Sequence, residues 1–193
     1  VDDGTCDFCY AGADIGADTI TACDSVLINT NSIAGGSYVW NTSNASTSGN
    51  LAIGDFYQGG VVFWIDPNDC TQGFVCDISD LASMAEFGCD NYNIPGADGI
   101  AIGTGEQNTL DIVNGCAYMF PGIAADLCYN STNGGYTDWF LPSKDELDEL
   151  CINKLIIDST ALVNGGSNLA INAYWSSSEV GNNNGWKQYF QQA

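Results

Sequence analysis

The residues best suited to chemistry lie near the C-terminal end of the chain. The segment Tyr174-Trp-Ser-Ser-Ser-Glu179 combines aromatic, hydroxyl and carboxylate side chains, and Asn182-Asn-Asn-Gly-Trp186 follows it closely. Aromatic faces stack on the apolar side of a pyranose ring, while carboxylates and amides bond its hydroxyl groups. The alternative is structural, with Trp175 and Trp186 in the core and the asparagines in a hairpin turn. We predict a sugar-binding site formed by Ser177, Glu179, Asn182, Asn183, Asn184 and Trp186.

Hard oxygen ligands are abundant, and calcium is the metal that such ligands suit. None of the acidic segments has the spacing of an EF-hand loop. Calcium is therefore the single cofactor that the sequence suggests. Its candidate ligands lie in loop-like segments, at Asp2, Asp3, Asp66 and Asp69.

The absence of histidine excludes several classes of enzyme. A Ser-His-Asp triad, a Cys-His dyad and a histidine metal site cannot be built without it. Carboxylates are plentiful, but no spacing between them singles out a glycosidase pair. We expect a protein that binds without catalysing a reaction.

The charge balance excludes further classes of partner. The chain has 193 residues, with 24 acidic side chains against 3 lysines, and a formal net charge of −21. Three lysines cannot neutralise a nucleic acid backbone, and an anionic membrane surface would repel the protein. No apolar run is long enough for a transmembrane helix. Such an acidic surface is typical of exported proteins in salty water, where salt screens the self-repulsion.

Nine cysteines also point outside the cell, because disulfides persist in oxidising compartments. Only Cys6-x-x-Cys9 has the spacing of a zinc knuckle, so disulfides are favoured over zinc. The odd count leaves at least one cysteine free or paired outside the chain. We predict the bridges Cys70–Cys76 and Cys89–Cys116, although six cysteines allow fifteen pairings. The six cysteines concerned are Cys70, Cys76, Cys89, Cys116, Cys128 and Cys151.

The order of elements after residue 53 is strands, helices, then strands, which is an α+β pattern. The apolar run Gly59–Ile65 predicts a buried strand, with Gly73–Cys76 as its hairpin partner. A helix is predicted from Gly105 to Met119. A capping box of Ser143 and Glu146 starts a second helix, whose apolar stripe runs to Leu155. Residues 160–172 are predicted to form a polar loop, followed by a hairpin of 174–179 with 186–190.

Three segments together resemble the C-terminal domain family of the Legionella collagen-like adhesin, as found in secreted proteins of marine Bacteroidetes. They are Gly54–Asp66, Gly135–Leu147 with its D-W-x-L-P-S-x-x-E-L core, and Tyr174–Glu179 with Trp186 and Phe190. The resemblance implies a C-type-lectin-like fold with a small mixed sheet, two helices and long loops. It also implies a secreted or surface-exposed, often adhesive protein with glycan or matrix ligands. Family members usually continue past the Trp186–Phe190 strand into a last apolar strand, whereas this sequence stops at Ala193, so we expect either a trimmed chain or a fold without that strand.

The first 53 residues read as a separate β-rich module or linker. Val1-Asp-Asp-Gly-Thr-Cys6 resembles the tail of an adhesin repeat, and Cys23–Ile28 with Gly36–Asn41 resembles part of an immunoglobulin-like module. A chain that starts at Val1 is expected to be a processed or excised piece. Thr19 and Ser25 lie in motifs that resemble the O-glycosylation motif of Bacteroidetes, so we predict glycans on both.

Together these features predict two parts, residues 1–53 and a disulfide-stabilised C-type-lectin-like domain at 54–193. The predicted function is extracellular adhesion or recognition, through binding of a surface glycan or protein receptor. The alternative is a structural subunit of an extracellular filament or surface layer. Such a subunit would bind copies of itself through β-strand exchange at an open sheet edge.

Overall fold

The computed structural model describes residues 51–69, 72–88, 93–117, 122–181 and 184–191. These residues form an α+β fold with two small antiparallel sheets and several helices, which confirms the predicted class. The N-terminal module lies outside the described residues, apart from residues 51–53.

The first sheet is an antiparallel meander of three strands, β1 (Phe56–Tyr57), β2 (Gly60–Ile65) and β3 (Gly73–Asp77). Strand β2 is the predicted apolar run, and its first four residues are buried. It pairs with β3, which confirms the predicted hairpin. A register shift between Val62 and Trp64 interrupts the alternation of the ladder, as a β-bulge does, so Val61, Val62 and Phe63 are all buried.

The second sheet is a hairpin of β4 (Ala173–Glu179) and β5 (Gly185–Tyr189). It lies where the sequence predicts it, and its strands pair antiparallel with a register shift between Trp175 and Glu179. All strand pairs in the described part of the chain are antiparallel. The predicted mixed sheet is therefore wrong for these strands.

The helices are more numerous than the two predicted. The predicted helix from Gly105 is α-helical only to Ile112 and then widens into a π-helical turn. Short helices follow it before the capping box. The helical segments are α1 (Gly105–Ile112), the π-helical turn (Val113–Ala117), α2 (Ala124–Tyr129), a 3-10 turn (Asn133–Gly135), α3 (Lys144–Ile152) and α4 (Lys154–Val163).

Helix α3 begins as the sequence predicts, because Ser143 and Glu146 form both hydrogen bonds of a capping box. The helix ends earlier than predicted, since Asn153 is the C-cap of α3 and the N-cap of α4. The break turns Leu155 outward, where 59% of it is exposed, so its predicted place in the buried stripe is wrong. Helix α4 extends to Val163 and takes up the start of the predicted loop.

Two clusters of buried side chains hold these elements together. One joins α1, α2 and the loops before them, with Ile112 and Ile123 almost completely buried. The other lies between β2 and the helices α3 and α4, with Val61 and Ile157 completely buried. Among the described helices, none combines the length and the apolarity that crossing a membrane requires.

Candidate functional site

Strand β4 places two of the six predicted sugar-site residues, Ser177 and Glu179, in the interior. Ser177 is completely buried. Its hydroxyl accepts a hydrogen bond from the Asn108 side chain at 3.3 Å, and its backbone N–H donates to the Pro142 carbonyl at 2.7 Å. A serine held in this way ties β4 to α1 and cannot contact an external ligand. The prediction that Ser177 binds a sugar is therefore wrong.

Glu179 is also largely buried and supports the loop before α1. Its Oε2 accepts a hydrogen bond from the backbone N–H of Ile94 at 2.9 Å, while its buried Oε1 has no hydrogen-bond partner. Desolvation raises the pKa of this carboxyl, and the nearby charge of Asp98 raises it further. The contact with Ile94 explains Glu179 as a structural residue.

The exposed remainder of the predicted site is the turn before β5. Asn184 is exposed, and its carbonyl accepts a hydrogen bond from Val180 at 2.5 Å. Trp186 is 43% exposed, and the Lys144 ammonium lies 5.8 Å from its ring centre. A small cavity of about 250 Å³ is lined by the Lys144 and Trp186 side chains, among others. Asn182 and Asn183 lie outside the described residues.

Two of the four predicted calcium ligands, Asp66 and Asp69, lie within the described residues. Asp66 accepts hydrogen bonds from the backbone and side chain of Asn68, and Asp69 is exposed in the same turn. No group of three or more metal-type side chains clusters in the described ranges. Calcium stays a prediction, and Asp2 and Asp3 lie outside the described residues, as do Thr19 and Ser25.

The cysteines divide into two kinds. Cys76 and Cys128 are free thiols, so the predicted bridge Cys70–Cys76 is wrong and Cys128 is unbridged. Burial raises the pKa of each of these two thiols to about 12. Cys116 and Cys151 are almost fully buried and are not free thiols. Cys70 and Cys89 lie outside the described residues, so Cys89–Cys116 stays a prediction.

A larger cavity of about 410 Å³ lies beside the first sheet, and we call it the aromatic cleft. Besides Leu81, the exposed side chains around it are aromatic, acidic or amides, and most of its buried lining is apolar. Pockets of this volume with a few polar groups are typical of small-molecule sites. The exposed lining side chains include Tyr57, Gln58, Gln72, Tyr136 and Asp138, the half-buried ones Phe74, Asp77, Trp139 and Phe140, and the buried ones Val62, Phe63 and Leu150.

Two glycine-containing turns bring the walls of the cleft together. Gln58 and Gly59 both have positive φ, of 50° and 79°, and form the two-residue turn between β1 and β2. A Cβ on Gly59 would lie 2.7 Å from the Cα of Gly134 in the 3-10 turn, so only glycine permits this approach. The contact brings together the end of β1, which carries Tyr57, and the 3-10 turn that precedes Tyr136, and both tyrosines line the cleft.

Asn133 is hydrogen-bonded to two further lining residues of the cleft, Asp77 and Trp139. Its side-chain amide donates to the Asp77 carboxylate at the end of β3. Its backbone carbonyl accepts from the indole N–H of Trp139 at 3.0 Å. Further in, Phe74 stacks with Trp64 at 5.3 Å and meets the edge of Phe140 at 5.6 Å. The half-buried aromatic rings are thus held in place before any ligand arrives.

The sequence prediction missed this cleft, although part of its signal is local. Tyr136, Asp138 and Trp139 lie in one glycine-led segment, Gly135-Tyr-Thr-Asp-Trp139, and two of them are exposed. Exposed aromatic residues beside an aspartate in a loop are typical of ligand sites, so this segment could have been selected. Its partners Tyr57 and Asp77 are distant in sequence and give no such signal.

Comparison with known proteins identified no similar protein. No match was found among models of known protein families, among curated proteins or among solved structures.

Proposed function

We propose that this domain recognises a sugar unit of a surface glycan in the aromatic cleft, without catalysing a reaction. One observation carries the proposal: exposed Tyr57, Tyr136 and Asp138 line a single cleft of about 410 Å³. Aromatic faces bind the apolar side of a sugar ring, and carboxylates and amides bind its hydroxyl groups. The predicted glycan-binding function is thereby moved from the β4–β5 turn to the first sheet.

The setting that we propose is extracellular. Nine cysteines and a net charge of −21 support secretion. We further propose a C-type-lectin-like fold stabilised by disulfides, and two features support it. The described part combines small antiparallel sheets with helices, and Cys116 and Cys151 are not free thiols.

A glycan panel tests the proposed function, with purified full chain and two matched variants. Tyr136→Ala removes an aromatic face from the cleft, and Tyr136 is 37% exposed. Tyr129→Ala removes a similarly exposed tyrosine, 45% exposed, that does not line the cleft. We expect Tyr136→Ala to weaken binding by about tenfold and Tyr129→Ala to keep it. Binding that both variants retain equally would contradict the assignment of the cleft.

Self-association is a second candidate function, and helix α4 is the observation that favours it. Five large apolar side chains on or beside this helix are 46–81% exposed. The two charged residues of α4, Lys154 and Asp158, are buried and paired with each other at 2.5 Å. The outer surface of α4 is therefore uncharged on a strongly acidic protein. This apolar helix face consists of Ile152, Leu155, Ile156, Leu162 and Val163.

A further inference from the structure

The charges around the aromatic cleft are all of one sign. Asp77 and Asp138 are its charged lining residues, and none of the three lysines of the chain lines it. Cys76 and Cys128 add no charge, because burial raises the pKa of each thiol to about 12 and keeps it protonated at neutral pH. A ligand in the cleft therefore meets two carboxylates and no cation.

The lysines are held elsewhere by their own partners. Lys144 forms an ion pair with Asp148 at 2.9 Å, and Lys154 is buried against Asp158. The Lys187 ammonium lies 5.6 Å from the ring centres of both Trp175 and Tyr189. An acidic sugar in the cleft would have no lysine among the lining residues to pair with, and its charge would be repelled by the carboxylates.

The two carboxylates of the cleft differ in what they already bind. Asp77 accepts hydrogen bonds from Asn133 and from the backbone of Ser79. Asp138 is exposed, and its side chain has no hydrogen bond or ion pair with any described residue. It lies between Tyr136 and Trp139 in sequence, and all three side chains line the same cleft. Carboxylates and aromatic faces both attract an ammonium group.

We infer that the cleft selects its sugar by charge: it prefers an amino sugar with a free ammonium group, accepts the neutral N-acetyl form more weakly, and excludes acidic sugars. The inference rests on the proposed glycan-binding function and names the ligand class of that site. Asp138 is the residue that pairs with the ammonium group. The tyrosines and Trp139 supply the surface for the sugar ring.

The test compares three oligosaccharides of equal length by calorimetric titration of the full chain at pH 6 and low salt. They are a glucosamine trimer, an N-acetylglucosamine trimer and a trimer of a uronic acid. An exposed ion pair together with a cation–π contact predicts that the amine form binds about three- to thirtyfold more tightly than the acetylated form. Added salt should reduce this ratio.

Two variants of equal net charge separate pairing of the ammonium group with Asp138 from general attraction of a cationic sugar to an acidic protein. Asp138→Asn should bring the ratio close to one and leave binding of the acetylated trimer unchanged. Glu106→Gln removes an exposed carboxylate on α1, away from the cleft lining, and should leave the ratio unchanged. A ratio that falls equally in both variants would overturn the inference.

The remaining outcomes separate this inference from the proposed function. Equal binding of the amine and acetylated trimers overturns the charge preference and leaves glycan recognition standing. Tightest binding of the uronic acid trimer also overturns the preference. Failure of all three trimers to bind, while other neutral glycans bind in a Tyr136-dependent way, overturns the amino-sugar assignment alone. No binding of any glycan overturns both.

Discussion

Glu146 joins the starts of two helices, and its removal should weaken the whole domain. The carboxylate is completely buried. Its Oε2 accepts from the backbone N–H of Ser143 at 2.7 Å, which closes the capping box of α3. Its Oε1 accepts from Gly103 at 2.7 Å and from Gly105 at 3.4 Å, where α1 begins. A Cβ on Gly105 would lie 2.2 Å from this carboxylate, so glycine makes the contact possible.

The magnitude follows from these contacts. A hydrogen bond to an ionised group is worth about 1.5–3 kcal/mol, and two of the three contacts with Glu146 are short. Burial of the carboxylate offsets part of this gain, because desolvation raises the pKa of Glu146 despite the hydrogen bonds. We expect Glu146→Ala to lower the free energy of unfolding by about 3 kcal/mol, since three N–H groups lose their partner, those of buried Ser143 and Gly105 and that of exposed Gly103. Glu146→Gln should cost less, because its amide oxygen replaces one of the two acceptors.

Urea denaturation followed by circular dichroism measures the loss, with Glu149→Ala as the control on the same helix. The Glu149 side chain forms no hydrogen bond with the described residues, so its variant should stay within about 0.5 kcal/mol of the wild type. The thermal midpoint of Glu146→Ala should fall by about 10 °C. A loss below about 1 kcal/mol for Glu146→Ala would refute the reasoning that this carboxylate links α1 to α3.

The remaining predictions concern pH and self-association. Desolvation raises the pKa of Glu179 in the folded state above its ordinary value of 4.5. Between pH 4.5 and the pKa of the folded state, the folded protein therefore keeps a proton that the unfolded chain has lost. The free energy of unfolding falls as pH rises through this range. Glu179→Gln should flatten the fall in the urea midpoint above pH 4.5, and an unchanged slope would contradict this cause. For the apolar helix face, sedimentation should show self-association that strengthens with salt, as screening reduces repulsion between copies. Leu162→Glu should abolish it and Met84→Glu, an equally charged change elsewhere, should not; a monomer at every salt concentration would exclude this contact.

Local patterns were sufficient to predict several elements but not the cleft. The capping box of Ser143 and Glu146 and the hairpin of β2 with β3 depend on neighbouring residues, and both were predicted. The break at Asn153 was missed because an apolar pattern continues through it to Leu155. The approach of Gly59 to Gly134 joins residues far apart in the chain, and no single-sequence pattern encodes it.

The buried part of the predicted site failed for a related reason. Hydroxyl and carboxylate side chains in a row suggest a ligand surface, yet β4 passes through the interior. There Ser177 and Glu179 bond Asn108 and Ile94 instead. Polar residues at buried positions must find partners, so the same side chains serve the fold. The order of residue types alone does not distinguish these two uses.

The central claim is that the aromatic cleft binds a sugar, and one measurement tests it most directly. Titration calorimetry would compare the dissociation constant of the tightest glycan from the panel for the wild type, Tyr136→Ala and Tyr129→Ala. Loss of one stacking face predicts weakening of about tenfold in Tyr136→Ala, while Tyr129→Ala matches the wild type. Equal affinities in all three proteins would contradict binding in this cleft.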